Sequence, residues 1–163
     1  MIITHASADT SAASVPAAVA APAAAKGEIV SVKTDLFVAD VSTQGGDLVG
    51  LVLNNYKAID DKTKNFPFLE SKHQFAAQSG LIGDGLPNHK TIFSVSAGPR
   101  ELGADAKTVE LRLTAPVTDG VKVTKVYTFT RGSYLINVSY EIDNGSQKEI
   151  AAHAYYQLQR DPE

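Results

Sequence analysis

A chain of 163 residues suits one domain, and 15 basic against 18 acidic side chains, a net charge of −3, leave no cationic field with which to hold nucleic acid. The absence of cysteine excludes disulfides, thiolate-bound zinc and thiol catalysis, without fixing a compartment. No apolar run approaches the roughly 20 residues that cross a bilayer, and Met1-Ile2-Ile3 passes straight into polar residues, so the polypeptide as written is expected to be soluble and to lack a signal peptide.

Residues 1–26 form an arm. From Thr4 to Lys26 the composition is Ala, Ser, Pro and Thr, with no period of 3.6 or 2. Too little apolar surface is present to offset the entropy of ordering, so the segment reads as a flexible, partly extended spacer. An alanine-driven helix is the alternative, opposed by Pro16 and Pro22.

The body begins near Gly27. Residues 29–34 and 36–41 read as two short strands or one bent strand, closed by a turn over 43–47 in which Gly45-Gly46 supplies positive φ cheaply. Residues 48–53 resume strand alternation with Val49, Leu51 and Leu53 inward, and residues 54–67, with Asp60, Asp61, Lys62 and Lys64, read as a loop. Short strands are expected over 66–69 and 75–79, a surface excursion over 80–90, and strands again over 93–95 and 109–113. Asp119-Gly120 is a hairpin signal leading into the clearest stretch of the chain, residues 121–142. There Val121, Val123, Tyr127 and Phe129 precede an Arg131-Gly132-Ser133 turn, and Tyr134, Ile136, Val138, Tyr140 and Ile142 follow it, predicting a hairpin with one dry face. Asn144-Gly145 signals a second hairpin, into a last strand with Ile150, Ala152, Ala154, Tyr156 and Leu158 on one face. Short strands, Gly, Asp and Asn turns and no long helical segment predict an all-β, antiparallel β-sandwich. The chain stops just after that strand, so a truncation is expected, leaving a sheet edge or apolar face without its cover.

Side chains able to do chemistry do not converge in the sequence. His5, His73, His89 and His153 form no HxH or HxxxH pair, and His153 falls on the polar side of its strand. Asp60, Asp61 and Asp84 are carboxylates in loops beside lysines and glycines, better explained by solvation than by acid-base work. Gly83-Asp84-Gly85 lacks the ladder of a calcium loop, and Asn137-Val138-Ser139 is a formal sequon inside a predicted strand. Tyr127, Phe129, Tyr134 and Tyr140 suit a core better than a binding wall. No catalytic, cofactor or metal site is therefore expected, and no partner-binding residue is assigned.

Five segments carry a resemblance: GEIVSVKTD over 27–35, VSTQGGDL over 41–48, AQSGL over 77–81, YTFTRGSY over 127–134 and NVSY over 137–140. In this order and spacing they resemble the first half of the large periplasmic domain of the Gram-negative, YidC-type members of the YidC/Oxa/Alb membrane-protein insertases. The resemblance implies a β-supersandwich similar to sugar mutarotase-like folds, of which residues 27–163 are the N-terminal part, with residues 1–26 as the variable linker from a first transmembrane helix. It also implies a place on the periplasmic face of the bacterial inner membrane and no cofactor. The expected role is a noncatalytic one, docking to the Sec translocon (SecDF, SecYEG) or contacting inserting membrane proteins. In that family insertion is the work of transmembrane helices, whose hydrophilic groove lowers the cost of taking polar groups into hydrocarbon, so this segment alone is expected to insert nothing. The alternative, by analogy of fold, is a carbohydrate-binding or mutarotase-like sugar-epimerising domain, which needs an acid and a base on one pocket; no such pair stands out on adjacent strand ends.

Overall fold

The computed structural model describes residues 27–70 and 75–160, so the Ala/Pro arm, His5 and His73 lie outside the described residues. Within them the chain forms β1 (Ile29–Lys33), β2 (Phe37–Ser42), β3 (Leu48–Lys57), β4 (Asn65–Leu69), β5 (Ala76–Ile82), β6 (Ser94–Val95), β7 (Thr108–Thr114), β8 (Val121–Thr130), β9 (Ile136–Asn144) and β10 (His153–Gln159). A six-stranded sheet has the order β1-β2-β3-β5-β10, with β4 also paired to β3; a four-stranded sheet has the order β6-β7-β8-β9. All these pairings are antiparallel.

Alternation builds both layers. Val32, Phe37, Ala39, Val41, Leu48 and Leu81 of the first sheet pack on Val109, Leu111, Leu113, Val123, Tyr127 and Phe129 of the second. Phe37 meets Phe129 edge-on across the interface, centroids 6.0 Å apart. Removing a large apolar side chain from water is worth roughly 1.5–3 kcal/mol, so this double row dominates the fold. Asp119 and Gly120, at φ 50° and 79°, make the two-residue turn that the twist of a hairpin favours, and Thr118 and Val121 exchange backbone hydrogen bonds across it.

Four local expectations are corrected. Val49 does not point inward: the β2–β3 register shifts between Asp40 and Val41, so Leu48 joins the core while Leu51 and Leu53 pack at its margin. The extra residue reverses the phase that simple alternation assumes. Residues 54–67 are not all loop, because β3 runs to Lys57 and β4 starts at Asn65, and Lys57 Nζ donates to Asn65 Oδ1 at 2.9 Å. Gly80 is not in a surface excursion but inside β5, where a Cβ would stand 2.6 Å from Tyr155 Oη. Asn144-Gly145 does not close a hairpin: β10 crosses to the other sheet and pairs with β5, while Gly145 N bonds Gly120 O at 3.0 Å.

The strands expected over 29–41 are two, and the long hairpin pairs Phe129 with Ile136 through to Val121 with Asn144. Its inner face is dry on β8 but only half-covered on β9, because β9 and β10 are the edges of their sheets and stand on the same open side.

Candidate functional site

Lys125 shares the inward row of β8 with Val123 and Tyr127, opposite Leu113 on one side and Tyr140 on the other. The side chain is fully buried. Its Nζ donates to Gly45 O at 2.9 Å and Ser79 O at 3.1 Å, and lies 5.5 and 5.8 Å from the ring centroids of Tyr127 and Tyr140. Tyr127 Oη donates to Gly46 O at 2.5 Å, and Tyr140 Oη to Ser79 Oγ at 3.0 Å. Side chains of the four-stranded sheet thus satisfy carbonyls of the β2–β3 turn and of β5 in the other layer, where unpaired carbonyls are costly.

That turn depends on glycine. Gly45 and Gly46 have φ of 72° and 60°, and a Cβ on Gly45 would lie 2.4 Å from His89 O. Burial pushes the Lys125 ammonium down to about 8, partly offset by the nearby Asp47 carboxylate. Burial raises Asp47 above the usual carboxylate range, against the lowering effects of the Gln78 hydrogen bond and the Lys125 charge. Burial also raises Tyr127 and Tyr140, keeping both phenols protonated. A lysine with no solvent access has no route to a substrate, so the chemistry of this cluster is to hold the layers together.

Two concave regions flank the cluster. On the open side, a cleft of about 310 Å³ is lined mainly by apolar groups, among them Leu48, Ala77, Ile136, Val138 and Leu158. Tyr156 and Leu158 on its β10 wall are 62% and 84% exposed. On the other side of Asp47, a pocket of about 410 Å³ is bordered by Gln44, Asp47, Phe75, Gln78, His89 and Gln159. There Gln157 Nε2 donates to Gln78 Oε1 at 2.6 Å and Gln78 Nε2 to Asp47 Oδ2 at 2.9 Å. Asp47 Oδ1 is buried with no hydrogen-bond partner among the described residues.

His89 is held at this pocket by β10. Tyr155 Oη lies 2.6 Å from His89 Nδ1 and accepts from His89 N at 3.0 Å. The hydroxyl can either donate to Nδ1 or accept a second proton from it, according to the tautomer of the ring. The pocket therefore brings together a carboxylate and an imidazole, a pairing that reading by chain position missed. Yet Asp47 is 5% exposed, and its accessible chemistry is already taken by Gln78.

The sequence model for the YidC periplasmic domain matches residues 29–163. The chain belongs to that family. It is 52% identical over 134 residues to the membrane protein insertase YidC of Dechloromonas aromatica, covering 82% of this chain and 24% of that protein. The corresponding figures are 54% over 132 residues, 80% and 24% for YidC of Aromatoleum aromaticum, and 47% over 137 residues, 83% and 24% for YidC of Nitrosospira multiformis. The chain thus spans about a quarter of the length of these curated relatives.

Other side chains singled out in the sequence are dispersed in this YidC periplasmic domain. Asp61 accepts from Thr63 N at 3.0 Å and from Thr63 Oγ1 at 2.6 Å and pairs with Lys64 at 3.2 Å, organising the β3–β4 turn. Asp60, Asp84 and His153 are exposed. Among the described residues no group of three His, Cys, Asp or Glu side chains is placed to hold a metal, and no helix is long and apolar enough to cross a membrane. Tyr127 and Phe129 are core, Tyr140 is half-buried, and Tyr134 lies at the surface, stacked on Phe37 at 6.3 Å. Lys125 was legible in one respect: it is a charge in phase with the apolar row.

Proposed function

We propose that this chain is the N-terminal part of the YidC periplasmic β-supersandwich domain, and that the domain is a noncatalytic contact module of an inner-membrane insertase. Its setting is the periplasmic face of the bacterial inner membrane. Its partners are the Sec translocon (SecDF, SecYEG) and membrane proteins undergoing insertion, while transmembrane helices elsewhere in the protein carry the insertion itself.

One observation carries the reading. Two sheet edges, β9 and β10, flank the same apolar cleft, with Tyr156 and Leu158 exposed along one wall. Free backbone donors and acceptors beside apolar side chains fit polypeptide better than a small polar substrate. The first occupant of this side is further chain of the same domain, since about three quarters of each matched relative lies outside the aligned segment. Contact with translocon or client then falls to surfaces of the completed domain.

A photo-crosslinking residue at Tyr134 or Phe68, both exposed, in the full-length protein tests the contact role. Adducts with SecDF, SecYEG or a nascent membrane protein are expected. A domain that yields none from any exposed position, or that accelerates mutarotation of aldoses, contradicts the reading.

A further inference from the structure

We propose that the pocket over the outer face of the six-stranded sheet, bordered by Asp47, Gln78 and Gln159, binds a neutral, hydroxyl-rich ligand, one or two sugar units of a glycan. The site meets the open cleft between β9 and β10 at Gln78, which borders both, whereas Gln44 and Gln159 border this pocket and not the cleft. Its volume, about 410 Å³, lies within the range of about 300–1,000 Å³ typical of small-ligand sites.

Charge narrows the ligand first. Asp47 contributes a carboxylate, but the buried Lys125 ammonium stands behind it and Lys90 lies on the rim. A cation therefore gains little net attraction. An anion meets Asp47 and finds Lys90 on the lining, the nearby Arg160 guanidinium being seated over the Phe75 ring. A purely apolar molecule would strip water from Gln44, Gln78 and Gln159 and return no hydrogen bonds.

Neutral hydroxyls fit what remains. Gln78 is fixed at both ends of its carboxamide, by Gln157 and by Asp47. It is thus an oriented amide rather than a mobile one, and its second amino proton is still to be placed. Carboxamides donate and accept, as hydroxyls do, so closely spaced hydroxyls can pair with a row of them in either sense. Half-buried Phe75, over whose ring the Arg160 guanidinium lies at 5.9 Å, adds apolar lining beside these amides. Tyr155 fixes His89 at the same pocket, leaving Nε2 for a further hydrogen bond as donor or acceptor. Nothing here requires a covalent step: the ligand is bound and released unchanged.

The test is a 15N–1H NMR titration of the 163-residue chain, following the glutamine side-chain amides, with maltose, cellobiose and N,N′-diacetylchitobiose as separate probes. At least one is expected to give saturable shifts at the Gln78 amide with a dissociation constant of about 1 mM or tighter, near −4 kcal/mol. Gln159→Ala and Gln44→Ala, both at exposed positions, are each expected to weaken that binding about threefold to tenfold with unchanged thermal unfolding. Lysine and inorganic phosphate are expected to leave the Gln78 amide unmoved. The proposal is overturned by no saturable shift with any of the three sugars, by binding indifferent to both substitutions, or by equal response to the charged probes.

Discussion

Replacing Lys125 by methionine separates the cost of burying a charge from the value of its hydrogen bonds. In the folded chain the ammonium titrates at about 8, against 10.5 ordinarily. Between those values the unfolded chain binds the proton more tightly, so stability rises with pH through this window. At pH 7 the full penalty applies; a shift of about 2.5 units at 1.36 kcal/mol each amounts to about 3.4 kcal/mol. By pH 9.5 the same linkage leaves about 1.4 kcal/mol, a gain of about 2 kcal/mol. The neutral amine still donates two protons, so Gly45 O and Ser79 O keep their partner. The raised tyrosines act in the opposite sense, since the unfolded chain loses their protons first, but at pH 9.5 this costs only a few tenths of a kcal/mol and dominates above about pH 10. Lys125→Met abolishes the penalty and orphans two carbonyls, at about 1–3 kcal/mol each. The two effects largely offset at pH 7, so the variant is expected to be destabilised by no more than about 3 kcal/mol there, and by about 2 kcal/mol more at pH 9.5. Urea unfolding followed by far-UV circular dichroism at both pH values measures this, the chain having no tryptophan. A wild type whose stability is flat or falling over that interval, or a variant that runs parallel to it, would refute the reasoning.

Other positions give independent checks. Gly45→Ala forces a side chain onto a φ of 72° and to 2.4 Å from His89 O, and is expected to cost about 2–4 kcal/mol in urea unfolding, where Gly132→Ala, with open space around it, costs about 1 kcal/mol. Tyr155→Phe removes the hydroxyl that fixes His89 and is expected to cost about 1–2 kcal/mol, with the His89 Nδ1 signal shifting in 15N NMR as its hydrogen bond is lost. Leu158→Ser is expected to change the stability of the 163-residue chain by less than about 0.5 kcal/mol, Leu158 being 84% exposed, but to cost about 1–3 kcal/mol in a chain carried through the rest of the domain.

The sandwich was legible in the sequence because both its layers obey period two and its turns carry Gly, Asp and Asn where positive φ is needed. The errors share a cause: each depended on what lies across space. The phase of Val49 was set by a bulge against β2, and Gly80 serves in β5 because Tyr155 from the last strand lies over it. Asn144-Gly145 has the chemistry of a hairpin turn, but the partner of β10 is β5, some seventy residues earlier. The Lys125 cluster joins residues 45, 46, 79, 125, 127 and 140, which no local window holds together. Asp47 and His89 share a pocket only because the turn at Gly45-Gly46 packs under the loop that carries His89. The resemblance supplied the family, and the residues supplied the reason for the open side.

Hydrogen exchange, resolved by residue and compared between the 163-residue chain and one extended through the remaining periplasmic sequence, reads out whether β9 and β10 are covered by further polypeptide. Amides on the free edges of both strands are expected to exchange at least about tenfold more slowly in the longer chain, corresponding to about 1.4 kcal/mol of added protection, while β8 and β2, each paired on both sides, change little. Edge amides that exchange at the same rate in both chains would contradict the account.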